Sequence, residues 1–151
     1  MDNRDIIDSV NRLIETCKDG EFGFRTCAER ASDAKLRDLL ALRADECRQA
    51  ASDLRVVVGE LGGNPEDGGT AGATLHRGWV AVKGALTGYT DRMLLEECER
   101  GEDVANARYR DALQDDLPPS LRALIERQYA GVQRNHAEMR TLRNQERAKA
   151  A

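Results

Sequence analysis

The sequence predicts an all-α fold, an antiparallel bundle of four helices built from two similar helical hairpins. Three observations support this prediction. Apolar residues recur every three or four positions over four long segments, only three prolines interrupt 151 residues, and aromatic residues make up only 4% of the chain. Steps of three and four place side chains on one face of a helix, whereas strands favour aromatic and β-branched residues. The length suits one domain with a single core.

The first hairpin is expected to span about residues 3–61. Helix one, about Asn3 to Ala31, and helix two, about Asp33 to Leu61, each carry one apolar stripe at helical spacing. Acidic or hydroxyl side chains before each stripe can cap the helix starts, and Gly62-Gly63 tolerates the left-handed conformation that ends a helix. The two stripes are Ile7, Val10, Ile14, Cys17, Phe24 and Ala28, then Leu36, Leu40, Cys47, Ala50, Leu54, Val57 and Leu61.

The second hairpin is expected to span about residues 90–143. Its first helix opens at Thr90 or Asp91, and its second opens at Pro118-Pro119, because proline fits the first turn of a helix. Residues 144–151 carry no apolar stripe and are expected to fray. The stripes of this hairpin are Leu95, Cys98, Ala105, Tyr109 and Ala112, then Leu121, Ile125, Val132, Met139 and Leu142.

Residues 62–89 form a long crossover between the hairpins. Its first half is rich in glycine and predicts a loop, whereas its second half repeats apolar residues at helical spacing and predicts a short fifth helix. Either this helix docks on the bundle through Leu75 and Trp79, or Leu75, His76 and Trp79 form a dimer interface. Short links within two hairpins and one long crossover between them are the connection of ferritin-like bundles. The sequence therefore predicts a single ferritin-like domain over residues 1–151.

The two hairpins also repeat each other in sequence. The segment LIETCKDGE, residues 13–21, aligns with LLEECERGE, residues 94–102, and LRDLL aligns with LRALI. Leucine spacing alone follows from any pair of amphipathic helices. The shared glycine, Gly20 and Gly101, does not, because a glycine inside a helix costs about 1 kcal/mol. We expect these glycines to let a neighbouring helix approach closely.

The chain resembles a known family over nearly its whole length. The strings that carry the likeness are LIETCKDGE, LGGNPEDGG with LHRGW, ALTG, LLEECERGED and LPPSLRALIERQYAGVQRNH. They resemble an uncharacterised bacterial ferritin-like family, the domain of unknown function 2383. The resemblance implies the four-helix fold and supplies no established reaction.

A di-metal centre in a ferritin-like bundle takes one inward glutamate from each of two helices and a Glu-x-x-His pair from each of the other two. Glu21 and Glu102 fall on the inward stripes of helices one and three. Glu46 on helix two and His136 on helix four complete the candidate metal ligands, a set that would suit iron or manganese. Both pairs are degenerate, because glutamine replaces histidine in one and glutamate in the other. Symmetric hairpin geometry also places His136 nearer Glu96 than Glu102.

A metal-free polar core is the favoured interpretation. Arg43 lies on the inward stripe of helix two, where it can form an ion pair with Glu21. Gln128 is its counterpart in the repeat and can form a hydrogen bond with Glu102. The sequence thus predicts no cofactor, with an iron or manganese centre as the alternative.

Composition narrows the range of partners. The formal charge is -4 and the sequence pI about 5.3, with no basic cluster, so nucleic acid is not an expected partner. No apolar run approaches the roughly 20 residues that cross a bilayer, and the amino-terminal segment does not resemble a secretory signal. We therefore expect no membrane contact and a cytoplasmic location. Four cysteines without a C-x-x-C motif are expected to be free thiols there.

Three functions remain. The favoured one is a non-catalytic, ferritin-like accessory or stress-associated protein that acts as a homodimer or by binding an unidentified protein partner. The second is a di-metal oxidase or iron-binding module, which requires the four candidate ligands to converge on one point. The third is thiol-based redox sensing through Cys17 and Cys47, which both lie on inward stripes.

Overall fold

The computed structural model describes residues 2–65 and 89–150, and within these ranges the chain forms four long α-helices and no strand. None of these described helices is both long and apolar enough to cross a membrane. The helices are α1, Asn3–Arg30; α2, Ala34–Glu60; α3, Asp91–Ala112; and α4, Pro119–Ala150. The predicted all-α bundle of four helices is confirmed. The predicted fifth helix falls outside the described residues, and with it Leu75, His76 and Trp79.

Side chains fix the starts of the first three helices. Asp2, Asp33 and Thr90 each accept a hydrogen bond of 2.9–3.2 Å from the backbone N–H three residues later. Such caps satisfy N–H groups that have no partner inside the helix. Gly62 follows the end of α2 with a φ of 81°, in the left-handed region that favours glycine.

A contact at each end of the bundle fixes the direction of the helices. At one end the Asn11 side chain donates to the carbonyl of Asn64, so α2 ends beside the start of α1. At the other end the Asp91 carboxylate accepts hydrogen bonds from the backbone N–H groups of Ser32 and Asp33, so α3 begins beside the α1–α2 turn. The helix α3 therefore runs antiparallel to α1 and parallel to α2. The long crossover joins opposite ends of the bundle, as in ferritin-like folds.

Two apolar clusters fill the interior, and stripe residues of all four helices contribute to them. Burial of each large apolar side chain contributes about 1.5–3 kcal/mol to folding. The first cluster has Ile6, Val10, Leu13, Ile14, Cys17, Ala51, Leu54, Val58, Tyr109, Ala112, Leu117, Leu121 and Ile125, and the second has Phe24, Cys27, Ala28, Ala31, Leu36, Leu40, Ala44, Leu94, Leu95, Cys98 and Met139.

The packing of α2 differs between its two neighbours. Toward α1, a Cβ atom built at Gly20 would lie 2.9 Å from the Cys47 Sγ, closer than real contacts allow. The predicted close approach at Gly20 is therefore confirmed. Toward α4 the contacts are sparse, and residues 128–132 of α4 remain half-buried. The bundle is thus closed between α1 and α2 and more open between α2 and α4.

The end of α4 differs from the prediction. Residues after Arg143 were expected to fray, but the helix continues to Ala150. Arg147 reaches Glu96 of α3 at 3.3 Å, and the segment is rich in alanine, glutamate, glutamine, lysine and arginine, which favour helix without needing an apolar stripe. The prediction of a frayed tail was wrong because it considered burial and left out propensity.

The contact at Gly20 predicts a position-specific effect on stability. Gly20→Val should lower the free energy of unfolding by about 1–3 kcal/mol, because the added methyl groups meet Cys47 in a packed interface. The matched control is Gly59→Val on α2, where a Cβ atom would meet nothing within 4 Å; it should change stability by less than about 0.5 kcal/mol. Urea denaturation of both variants measures the difference. Equal effects at the two positions would contradict a close approach at Gly20.

Candidate functional site

A cavity of about 310 Å³ lies at mid-height of the bundle. Side chains of all four helices line it, and members of both apolar clusters form part of its wall. Three glycines, Gly20, Gly101 and Gly131, line the cavity from different helices, and a Cβ atom at Gly131 would have room there. The second glycine of the internal repeat therefore lines the same chamber as the first.

Glu102 is the buried acid of this cavity. Its side chain belongs to a residue that is only 4% exposed, it lines the cavity, and its Oε1 atom accepts no hydrogen bond from the described residues. Burial raises the pKa of Glu102 to about 8, and the positive charge of Arg43 offsets this only in part. The negative charges of three nearby carboxylates also raise the pKa of Glu102. Glu102 is therefore mainly protonated at neutral pH.

Arg43 supplies the positive charge at this level of the bundle. Its side chain is 11% exposed and lies 2.5 Å from Glu46 on its own helix and 2.5 Å from Glu138 on α4. Burial opposes the charged form, but these two carboxylates outweigh burial and raise the pKa of Arg43. The predicted pair with Glu21 is wrong. Glu21 lies on the neighbouring face of α1, one-third exposed, with Arg25 at 3.9 Å.

The register between α3 and α4 differs from the prediction. His136 Nε2 lies 2.5 Å from Asp103 Oδ1. Asp103 follows Glu102 in the chain and lies seven residues, about two helical turns, after Glu96, which was the predicted neighbour of His136. The assumption of a symmetric hairpin was wrong. The first turns of α4 extend beyond the level at which α3 ends, at Ala112, and pack in the first apolar cluster. The same difference in register moves Gln128 away from Glu102.

Gln128 instead joins a chain of hydrogen bonds that crosses the bundle. The Tyr109 hydroxyl donates to Gln128 Oε1 at 2.7 Å, and Gln128 Nε2 donates to the carbonyl of Ala50 at 3.3 Å. Because the only hydroxyl hydrogen of Tyr109 is used in this way, the Cys17 thiol donates to the Tyr109 oxygen at 3.2 Å. The predicted hydrogen bond between Gln128 and Glu102 is therefore wrong. The sequence-based prediction places Tyr109 only on the apolar stripe. Its hydroxyl group is the signal for this hydrogen bond, because a tyrosine hydroxyl on an inward face needs a partner.

The cysteines of the interior are held as neutral thiols. Burial raises the pKa of Cys17 to about 11, although the Tyr109 hydroxyl acts in the opposite direction. Burial also raises the pKa of Cys47, and the charges of Cys17 and three nearby glutamates add to this effect. Cys98 is similarly shifted by burial and by its hydrogen bond with Cys27. Thiols with raised pKa values are poor nucleophiles, so redox sensing through Cys17 and Cys47 stays a prediction without support from the electrostatics.

The candidate metal ligands do not form a di-metal donor set. Glu102 has a free oxygen in the interior, whereas Glu46 is half exposed and bound to Arg43. Glu21 faces Arg25, and His136 faces Asp103. Within residues 2–65 and 89–150, no three histidine, cysteine, aspartate or glutamate side chains are arranged to hold a metal ion. Two metal ions bridged by carboxylates require six such ligands around one point, so the residues present do not fit this cofactor.

Comparisons with known proteins agree with the fold. Residues 5–115 match a family model described as "Domain of unknown function (DUF2383)". A dodecameric thioferritin, the bacterioferritin-related protein from Bacteroides fragilis, has a TM-score of 0.81 and 17% sequence identity over 99% of this chain and 91% of that chain. A mutant of Dps1 from Mycobacterium smegmatis has a TM-score of 0.75 and 11% identity over 92% of this chain and 95% of that chain. No curated protein matches. At these identities the two structures establish a ferritin-like fold and nothing about activity.

Burial of Glu102 predicts a pH-dependent stability. A carboxyl whose pKa rises from 4.5 to about 8 on folding makes the folded state bind more protons than the unfolded state, so its contribution to stability is lost as pH rises between those values. Glu102→Gln should therefore match the wild type near pH 5 and exceed its free energy of unfolding at pH 8 by on the order of 2–4 kcal/mol.

Urea denaturation at several pH values measures this difference. Glu60→Gln, at an exposed position on α2, is the matched control and should follow the wild type throughout. Parallel pH profiles for the wild type and Glu102→Gln would show that Glu102 is not a buried acid.

Proposed function

The chain belongs to the DUF2383 family and has a ferritin-like fold, and we propose that it is a non-catalytic, stress-associated accessory protein. It acts through self-association or through binding of a protein partner, and its metal site is degenerate. The observation that carries this proposal is the position of Arg43, buried between Glu46 and Glu138 at the level of Glu102.

A guanidinium at this position provides the charge that a metal ion would provide. Arginine stays charged under all physiological conditions, and its planar group satisfies two carboxylates at once. A divalent cation that took Glu46 as a ligand would have to replace Arg43 in its contact with this carboxylate.

The two incomplete Glu-x-x-His pairs also support a degenerate metal site. Gln49 stands where a ferritin-like pair has histidine, and its side chain is exposed and donates to Asp53 at 2.9 Å. Gln133 stands where the other pair has glutamate, and it is also exposed. Gln133 does not line the cavity that holds Glu102, and the Gln49 amide, which does, is bound to Asp53.

Self-association is supported by the surface and by one relative. Leu42 and Val56 are the most exposed large apolar residues of the described chain, at 53% and 61%. They are fourteen residues apart on α2, close to four full turns, and therefore lie near one face. The two residues lie about 21 Å apart along the helix axis, so we propose them as two separate anchor points of the contact. The thioferritin with the similar fold is dodecameric, and a homodimer through α2 is the form proposed for this chain.

A cytoplasmic location fits the chemistry of the cysteines. All four are free in the structure, and free thiols persist in the reducing cytoplasm. We therefore propose a cytoplasmic location on the basis of these free cysteines.

The role of Arg43 predicts a gain of metal response on its removal. Arg43→Ala leaves Glu46, Glu102 and Glu138 without their cation, so manganese(II) or iron(II) at about 1 mM should raise the melting temperature of the variant by several degrees. The wild type should show no such shift. Arg48→Ala is the matched control, since Arg48 on the same helix is well exposed and lies 3.8 Å from Asp45. A metal-induced shift in the wild type as large as in the variant would contradict the proposal.

The α2 surface predicts a change in oligomeric state. The combined variant Leu42→Glu and Val56→Glu places charges on the proposed contact and should convert a dimer into a monomer, measured by sedimentation equilibrium. Met93→Glu is the control, because Met93 is an exposed apolar residue on a different helix. A monomeric wild type, or loss of the dimer only in the control, would contradict self-association through α2.

A further inference from the structure

The cavity at mid-height of the bundle has the properties of a binding site. The geometry points to a small organic amine as its ligand, held through the carboxyl group of Glu102. This inference goes beyond the proposed function and does not depend on it. It rests on three observations: the size and lining of the cavity, the unpartnered oxygen of Glu102, and the sign of the charges around it.

The cavity is large enough for a ligand. Its volume of about 310 Å³ reaches the range of roughly 300–1,000 Å³ that small-molecule sites occupy. Phe24, Ala50, Val104 and Val132 supply apolar wall from each of the four helices. Among the described helices, the packing is sparse between α2 and α4 and close between α1 and α2 at Gly20.

Among the described residues, the Oε1 atom of Glu102 is the buried polar atom of this wall without a hydrogen-bond partner. The hydrogen-bond chain from Cys17 through Tyr109 and Gln128 to Ala50 satisfies the polar groups on the other side of the cavity. Arg43 is engaged by Glu46 and Glu138. A buried polar oxygen without a partner costs about 1–3 kcal/mol, and such an atom in a native protein calls for an explanation. A ligand that donates a hydrogen bond to Glu102 provides one.

The surrounding charges favour a cation. A carboxyl group away from water is best complemented by a group that carries positive charge and donates hydrogen bonds. An ammonium group has three donors and no acceptor, whereas no three histidine, cysteine, aspartate or glutamate side chains of the described residues are arranged to hold a metal ion. Six ionisable side chains line the cavity, four acidic and two basic: Asp19, Glu46, Asp53, Glu102, Arg127 and Arg134.

Isothermal titration calorimetry on the full chain tests the inference with three probes of matched size: n-butylammonium chloride, n-butanol and sodium n-butyrate. The buffer is phosphate with a chelator, because amine buffers would compete and stray metal ions would occupy carboxylates. At pH 8 the ammonium ion should bind at least tenfold more tightly than the alcohol or the anion.

Variants separate the role of Glu102 from the space around it. Glu102→Gln should weaken ammonium binding at least tenfold, because the amide cannot supply the negative charge of a carboxylate. Gly131→Leu fills the cavity from α4, where an added Cβ has room and lies 3.6 Å from Arg134, and it should abolish binding without touching Glu102. Glu60→Gln is the control and should bind as the wild type. No ammonium binding to folded wild type at pH 8, equal affinity for the three probes, or full affinity in Glu102→Gln would each overturn the inference.

Discussion

The structure depends on how positive charge is supplied to an acidic layer in the middle of the bundle. Arg43 is buried between Glu46 and Glu138, and the same layer holds Glu102 and Asp103. Ferritin-like metal proteins neutralise a comparable set of carboxylates with two cations. Here a guanidinium, which does not lose its proton, contacts two of these carboxylates. Among the described residues, no set of side chains is arranged to hold a metal ion.

The packing of the helices explains why Glu102 is left without a partner. Gly20 lets α1 approach Cys47 closely, whereas α2 meets α4 mainly through the contact of Arg43 with Glu138 and through Gln128. The two hairpins therefore stand slightly apart and enclose a chamber. Burial in such a chamber favours the protonated form of a carboxyl group. The contacts of Arg43 and the position of Glu102 in the cavity wall are consequences of the same arrangement.

Much of the architecture follows from the sequence, and the errors have one physical source. Apolar spacing and caps determine the four helices within a few residues, and the repeated glycine indicates the close contact at Gly20. Register between helices is different, because it depends on how far α4 extends past the end of α3. Because of this overhang, His136 contacts Asp103 and Gln128 contacts Tyr109 in place of their predicted partners. The partners of Arg43 also differ from the prediction. Amphipathic periodicity carries no information on sliding along the helix axis, so side-chain partners across helices could not be derived.

The most direct test of the account is elemental analysis of the wild-type protein purified from cells grown with ample iron and manganese, together with its solution mass. The account predicts metal contents far below one equivalent per chain in a self-associated protein. Close to two equivalents of iron or manganese per chain, retained through gel filtration and lost in Glu102→Ala, would show that the acidic layer binds metal despite Arg43 and would contradict the central claim.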